Sequence, residues 1–112
     1  MSRSVKWSFD AKADLVEIIS YIKEAAGSKT AKQVYDRIKE KISKCGDYPE
    51  GYRLVPELQE IGVLEYREII ETPWRIFFRV AGDEIRIISI IDGRRNVEDI
   101  LYKKVMEGKL KS

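Results

Sequence analysis

Histidine is absent from this sequence of 112 residues, and cysteine occurs only once, as Cys45. Without histidine, the chain lacks the usual general base at neutral pH and the commonest transition-metal ligand, which excludes a Ser-His-Asp triad and a zinc site. A single cysteine cannot form a disulfide within the chain. We therefore expect neither a bound metal nor another cofactor.

Long apolar runs are absent as well. The uninterrupted apolar segments contain only a few residues, far fewer than the roughly 20 that span a bilayer. The N-terminus lacks an apolar run of signal-peptide length. We expect a cytoplasmic protein that makes no contact with a membrane.

The composition is that of one small folded domain. Hydrophobic residues make up 44% and charged residues 36% of the chain, with 7 Gly and 3 Pro, so a core can form and disorder is not indicated. A chain of this length is too short for two independent cores, and we predict a single domain over residues 1–112. The formal net charge is +2, but residues 94–112 hold six basic against three acidic side chains, a basic bias at the C-terminal end.

The N-terminal half predicts one strand and two helices. Residues 4–9, "SVKWSF", alternate apolar and polar side chains as a half-buried strand does. Asp10 is the predicted N-cap of a first helix that ends at Gly27, and Ser28 is the predicted cap of a second. Because the second helix follows so closely, the two should pack as an antiparallel hairpin that offers one apolar face to the rest of the domain.

The C-terminal half predicts a three-stranded meander followed by a helix. Residues 46–58 are rich in turn formers and form a crossing loop. A last helix begins at Asn96 and ends near Gly108. The strands, which are joined by "ETP" and "GD" turns, are predicted at Val63–Ile70, Trp74–Val80 and Glu84–Ile91. The predicted fold class is α+β.

A two-residue turn at Gly82 and Asp83 divides the side chains of the last two strands between two faces. The face that the helical hairpin can cover consists of Trp74, Ile76, Phe78, Val80, Ile85, Ile87, Ser89 and Ile91. The other face consists of Arg75, Phe77, Arg79, Arg86, Ile88 and Ile90.

Arg79 lies opposite Arg86 in this pairing, and directly opposed like charges cost some tenths to about 1 kcal/mol. The stretch from Trp74 to Arg95 contains five arginines, more than a strand surface needs. An apolar groove rimmed by arginine suits an acidic peptide or a nucleic acid. The predicted binding residues are Arg75, Phe77, Arg79, Arg86, Ile88, Arg94 and Arg95. The alternative is a solvated face whose arginines are neutralised by Glu65, Glu68, Asp83 and Glu84.

Three segments together resemble a known family: "ADLVEIISYI", "YPEGYRLVPEL" and "WRIFFRVAGDEIRIISIIDGRR". In this order they are similar to the RelE/ParE toxins of type II toxin–antitoxin modules, which include plasmid stabilisation systems, over nearly the whole chain. The resemblance implies an N-terminal strand, a helical hairpin, a three-stranded antiparallel meander and a C-terminal helix. It also implies a growth inhibitor that an acidic antitoxin neutralises, with no small-molecule substrate.

Two mechanisms occur on this fold. RelE-like members cleave mRNA on the ribosome, and the resemblance places their catalytic positions at Arg67, Arg75, Arg95 and Tyr102. ParE-like members poison DNA gyrase instead. The strand "YREII" lacks the lysines of a RelE-like enzyme.

Arginine is a poor proton shuttle, so general-base work would fall to Tyr102 or Glu68. The long helical hairpin is also ParE-like. We therefore favour a ParE-like toxin that is not an enzyme. The alternatives are a RelE-like, metal-independent endoribonuclease and an inactive module that binds an antitoxin or a nucleic acid.

Replacing both Arg79 and Arg86 with Thr should leave the melting temperature unchanged or slightly higher. The change removes a like-charge repulsion of some tenths to about 1 kcal/mol, and Thr suits a strand. Thermal melts followed by circular dichroism measure the effect. A large loss of stability would mean that these arginines hold the sheet together.

Overall fold

The computed structural model describes residues 3–110. Its strands are β1 (Ser4–Trp7), β2 (Tyr66–Glu71), β3 (Trp74–Ala81) and β4 (Glu84–Asp92). They form one sheet of order β1-β4-β3-β2, in which β1 is parallel to β4 and the other neighbouring pairs are antiparallel. The helices are α1 (Phe9–Ala26), α2 (Ser28–Cys45), α3 (Pro56–Gln59) and α4 (Val97–Met106). The predicted α+β class is confirmed.

The helical hairpin begins two residues earlier than the sequence predicted. Ser8, not Asp10, is the N-cap of α1, since its Oγ accepts a hydrogen bond of 3.0 Å from the backbone N of Ala11. Asp10 lies in the first turn and pairs with Lys104 of α4 at 2.9 Å. Gly27 separates the two helices with a φ of 92°, a conformation that suits glycine. Ser28 is therefore the first residue of α2 rather than its cap.

A first core lies between the helical hairpin and one face of the sheet, as predicted. Its helical members include Leu15 of α1 and Ile38 of α2. Cys45 is fully buried there, and burial raises the pKa of its thiol to about 11. The sheet contributes Ile69, Ile76, Phe78, Ile85, Ile87 and Ile90.

A second core covers part of the other face, which the sequence predicted to be open. Phe77 is 1% exposed and lies in this core, so its predicted place on an exposed binding surface is wrong. Residues 46–58 do not simply cross the domain: they contain a 3-10 turn at Pro49–Gly51 and the short helix α3, and α4 packs beside them. The other members of the second core are Val55, Leu58, Val63, Tyr66, Ile91, Val97, Leu101 and Leu110.

A β-bulge in β4 explains a second error in the predicted faces. Phe78 pairs with Ile87, but the preceding Phe77 pairs with Ser89, which leaves Ile88 as the extra residue. After Ile88, each side chain of β4 lies on the face of the sheet opposite to the one that strict alternation predicts. Ile90 therefore joins the first core and Ile91 the second, the reverse of the prediction.

The turn between β3 and β4 is confirmed as predicted. Ala81 pairs with Glu84 around a two-residue loop, and Gly82 has a φ of 63°. Phe9, by contrast, belongs to α1 and is 85% exposed, so the predicted first strand is too long. Residues 1–2 and 111–112 lie outside the described residues, and the domain limits of 1–112 stay a prediction. None of the helices that the structure describes is long and apolar enough to cross a membrane.

Phe77→Ala should lower the free energy of unfolding by about 3 to 5 kcal/mol, because it leaves a cavity in the second core. Phe9→Ala is the matched control, and it should change stability by no more than about 0.5 kcal/mol because the ring is exposed. Urea denaturation of the two variants measures the difference. Equal stabilities would show that the second core contributes little to folding.

Candidate functional site

The predicted arginines form two groups at opposite ends of the β3-β4 hairpin. Arg79 and Arg86 lie near the turn, where they pair across the two strands. Arg75 lies four residues before Arg79 in β3, roughly 13 Å away along the strand. Arg94 and Arg95 follow β4 at the same end as Arg75. The structure therefore does not bring all of the predicted binding residues together.

Arg75 is held between two carboxylates. Its Nε donates to Oε1 of Glu68 at 2.6 Å, and Nη1 and Nη2 donate to the two carboxylate oxygens of Glu57 at 2.7 and 2.8 Å. Nη2 also donates to Oε2 of Glu68 at 3.0 Å. Four of the five N–H groups of this guanidinium are thus occupied within the protein. The side chain also lies 5.3 Å from the ring centre of Phe77.

Glu68 also binds a second arginine, Arg53, so that four charged side chains are connected. Its side chain has no exposed surface, and Oε2 accepts a hydrogen bond of 2.6 Å from Nε of Arg53. The cluster of Arg53, Glu57, Glu68 and Arg75, here called the ion cluster, contains two positive and two negative charges. It links the segment before α3, α3 itself, β2 and β3.

The pairing of Glu57 with Arg75 favours the charged form of each. Hydrogen bonding to Arg75 holds the pKa of Glu57 below its ordinary value. The same hydrogen bond, with those to Glu68, raises the pKa of Arg75. An incoming phosphate would have to displace a bidentate carboxylate to reach this arginine.

Two of the other three positions implied by the RelE-like resemblance, Arg67 and Tyr102, are also engaged or unactivated, whereas Arg95 is exposed. Arg67 donates through Nη1 to the backbone carbonyl of Tyr52 at 2.6 Å. Partial burial, followed by the negative charges of nearby glutamates, raises the pKa of Tyr102. A raised pKa lowers the fraction of phenolate at neutral pH, which is opposite to the activation that a general base requires.

Arg94 and Arg95 border a groove beside α1. Arg94 pairs with Asp92 at 2.6 Å, and this hydrogen bonding lowers the pKa of Asp92 to about 2. The side chain of Arg95 is exposed. The groove has a volume of about 410 Å³ and an apolar floor of Ile18, Ile22, Trp74 and Ile90.

Close packing in the same region favours glycine at position 93. A Cβ there would lie 3.0 Å from the backbone carbonyl of Pro73 and 3.3 Å from the side chain of Arg75. The backbone N of Gly93 donates to that carbonyl at 2.7 Å. Gly93, the glycine of "GRR", thus connects the residue before β3 with the residue after β4. This contact fixes the position from which Arg94 and Arg95 continue.

Sequence reasoning missed Glu57 and Asp14. Glu57 follows Pro56 in the first turn of α3, a position typical of an acidic residue, but no local pattern pairs it with Arg75. Asp14 of α1 accepts hydrogen bonds from the Ser89 hydroxyl and the Ile90 backbone N, at 2.8 and 2.9 Å. Among the residues that the structure describes, no group of three or more acidic or cysteine side chains could hold a metal ion.

A comparison with protein families decides the assignment. Residues 5–97 match the model of the ParE toxin of type II toxin-antitoxin systems, parDE. The chain belongs to the ParE toxin family. The predicted resemblance is thereby confirmed at the level of the superfamily. No curated protein matches this ParE-family chain.

Two solved structures share the fold of this ParE-family protein. The chromosomal ParDE toxin–antitoxin system from P. aeruginosa contains a chain that is 26% identical, with a TM-score of 0.66, over 81% of this chain and 96% of that one. The toxin–antitoxin complex RelBE2 from Mycobacterium tuberculosis contains a chain that is 9% identical, with a TM-score of 0.53, over 82% and 99% of the two chains. At that identity, the second likeness concerns the fold alone.

Glu57→Gln should lower the free energy of unfolding by about 1 to 3 kcal/mol at neutral pH, because it replaces a charged hydrogen-bond acceptor. The pKa of Glu57 is lower in the folded than in the unfolded chain, whose value is near 4.5. The stability that ionised Glu57 contributes is therefore complete above its pKa in the unfolded chain. That stability is lost as the pH falls through its pKa in the folded chain. The difference between wild type and variant should be constant above about pH 5.5 and shrink in acid.

Urea denaturation across this pH range measures both effects. Glu60→Gln is the matched control, since Glu60 is exposed, lies at the end of α3 and forms no ion pair with a described residue. A difference between wild type and Glu57→Gln that does not vary with pH would contradict the ionised pairing of Glu57 with Arg75.

Proposed function

We propose that this toxin inhibits growth by binding and poisoning DNA gyrase, that it does not cleave mRNA, and that an acidic antitoxin neutralises it. The observation that carries the proposal is the state of Arg75. The resemblance implies that this position stabilises a phosphorane in RelE-like ribonucleases, but here four of its N–H groups are bound to Glu57 and Glu68.

Charge supports the same reading. A phosphoryl group carries negative charge that increases in the transition state, and catalysis needs cations aimed at it. At Arg75 the nearest groups are two carboxylates, and the ion cluster carries no net positive charge. Opening it to bind a phosphate would leave the buried Glu68 without one of its partners, which is strongly unfavourable.

The surroundings of the two candidate bases, Tyr102 and Glu68, support it as well. Tyr102 has a raised pKa, and Glu68 is buried between two arginines. Neither group is set up to take a proton from a ribose hydroxyl at neutral pH.

The comparisons favour the ParE-like branch of the superfamily. The family model is that of a ParE toxin, and the ParDE structure from P. aeruginosa has the higher identity and TM-score of the two neighbours described above. The gyrase target is taken from the resemblance to the RelE/ParE toxins, in which the ParE-like members poison DNA gyrase.

Expression of the chain alone should arrest bacterial growth with filamentation, and co-expression of the antitoxin from the neighbouring gene should relieve the arrest. Purified toxin should inhibit gyrase supercoiling and increase gyrase-dependent double-strand breaks in plasmid DNA. Tyr102→Phe is the informative variant: it lacks only a hydroxyl that a ribonuclease would need, so it should remain toxic.

Mapping of mRNA 5′ ends after induction provides the opposing test. Abundant cuts positioned by codon, which disappear in Tyr102→Phe and Arg95→Gln, would show that the toxin is a RelE-like ribonuclease. Normal growth at confirmed expression of folded protein would instead show that the chain is an inactive binding module.

A further inference from the structure

The groove beside α1 is acidic at one end and basic at the other. Asp14 and Glu17 of α1 line one end, and Arg94 and Arg95, which follow β4, line the other. Asp14 accepts a hydrogen bond of 2.9 Å from the backbone N of Ile90, so the acidic end lies beside β4 itself. The basic end lies beyond the last residue of that strand. We call this cavity the α1 groove.

The two ends of the α1 groove are about 10 Å apart. Pairing with Asp92, and to a smaller degree the nearby phenol of Tyr21, raises the pKa of Arg94, so Tyr21 marks the basic end on α1. Asp14 and Tyr21 are seven residues apart in one helix, which corresponds to about 10 Å along its axis. With a volume of about 410 Å³, the α1 groove has the size of a small-molecule site.

The acidic end offers carboxylate oxygens that the protein does not use. Oδ2 of Asp14 accepts hydrogen bonds from the Ser89 hydroxyl and the Ile90 backbone N, which hold the side chain in place. Its Oδ1 accepts none from the residues that the structure describes, and within residues 3–110 the carboxylate of Glu17 forms neither an ion pair nor a hydrogen bond. Two like charges one helical turn apart do not stabilise α1, so folding does not explain this pair.

The basic end carries one cation that is free to bind an anion. Arg94 is paired with Asp92 at 2.6 Å. The exposed guanidinium of Arg95 makes no ion pair or hydrogen bond in the part of the chain that the structure describes. An anion can therefore reach Arg95 without displacing a carboxylate, which is not the case at Arg75.

We propose that the α1 groove binds a free guanine nucleotide, with the base edge on the carboxylates of Asp14 and Glu17 and the phosphate on Arg95. The ring lies over the apolar floor between the two ends. This inference does not rest on the proposed gyrase target, because it concerns another ligand and residues that the proposed function does not use.

The two carboxylates select guanine among the bases. An ionised carboxylate only accepts hydrogen bonds, and guanine presents two adjacent N–H donors, at N1 and at the 2-amino group. Adenine and cytosine place an unprotonated ring nitrogen beside their amino group, so a lone pair would face the carboxylate. Uracil and thymine flank their one N–H with two carbonyl oxygens. Hydrogen bonds to a charged acceptor are also about twice as strong as neutral ones.

The rest of the α1 groove suits the ring and the phosphate. Trp74 in the floor and Tyr21, which is 71% exposed at the rim, offer aromatic surfaces on which a base can stack. The guanidinium fork of Arg95 matches two phosphate oxygens. A mononucleotide has a length comparable to the groove between the Watson–Crick edge of its base and its phosphate.

The test is isothermal titration of the full-length toxin with guanosine monophosphate. Guanosine, which lacks the phosphate, should bind about tenfold more weakly or less tightly still. Adenosine monophosphate, which lacks the paired N–H donors, should also lose about tenfold or more.

Variants at each end assign the two contacts. Glu17→Gln should weaken binding of guanosine monophosphate about tenfold, whereas Glu24→Gln, the matched control at an exposed position of α1 outside the groove, should stay within about twofold. Arg95→Gln should weaken binding of the monophosphate about tenfold but leave guanosine within about twofold, because the contact is to the phosphate. Arg86→Gln, an exposed cation outside the α1 groove, is the control for charge alone.

Tryptophan fluorescence provides a second readout. The chain has 2 Trp, so Trp7→Phe leaves Trp74 as its one tryptophan. Guanosine monophosphate should quench the emission of Trp74 as the base stacks, and the same concentration should quench it much less when Glu17→Gln is added. Circular dichroism confirms that each variant is folded.

The outcomes separate this inference from the proposed function. A folded wild-type toxin that does not bind guanosine monophosphate would overturn the site, as would equal affinities for the guanine and adenine nucleotides. A UGU trinucleotide that binds about tenfold more tightly than the mononucleotide would overturn the free ligand, because the groove would then recognise guanine within a strand. Gyrase inhibition without nucleotide binding would overturn this inference alone, and nucleotide binding without gyrase inhibition would overturn only the gyrase proposal.

Discussion

The carboxylate of Glu68 is buried between Arg53 and Arg75, and much of the domain is arranged around that fact. A buried charge without partners is strongly destabilising, by about 3 to 5 kcal/mol when one partner is removed. Both arginines are therefore required where they lie. Because Arg53 precedes α3 and Glu57 lies within it, the same ion cluster fixes the segment that carries Val55 and Leu58 over the sheet.

The ion cluster also sets the chemistry of this face. An arginine that faces solvent can receive a phosphate, whereas Arg75 is surrounded by two carboxylates that its guanidinium already satisfies. The position implied by the resemblance for catalysis thus contributes to the structure. This structural role of Arg75 is the physical reason for our proposal that the toxin acts by binding a protein target and does not cleave RNA.

The two halves of the same sheet face differ in a complementary way. Near the open end of the hairpin, the face is covered by α3 and α4, and its charges are paired with one another. Near the turn, the face is open, and Arg79 lies opposite Arg86 without enough acid to neutralise both. The charged side chains are therefore balanced on the half of the face that α3 and α4 cover, and positive charge is in excess on the half that is open.

The sequence by itself determined most of the elements and indicated the family. Alternating and helical periodicities, the "GD" turn and the order of the segments were enough for the class, the helical hairpin and the opposition of Arg79 and Arg86, because these depend on neighbours in sequence or on a two-residue loop. Only the tertiary structure decided which face α4 covers, the bulge at Ile88 and the pairing of Arg75 with Glu57. Each of these depends on contacts between residues far apart in the chain, and no local propensity encodes such contacts.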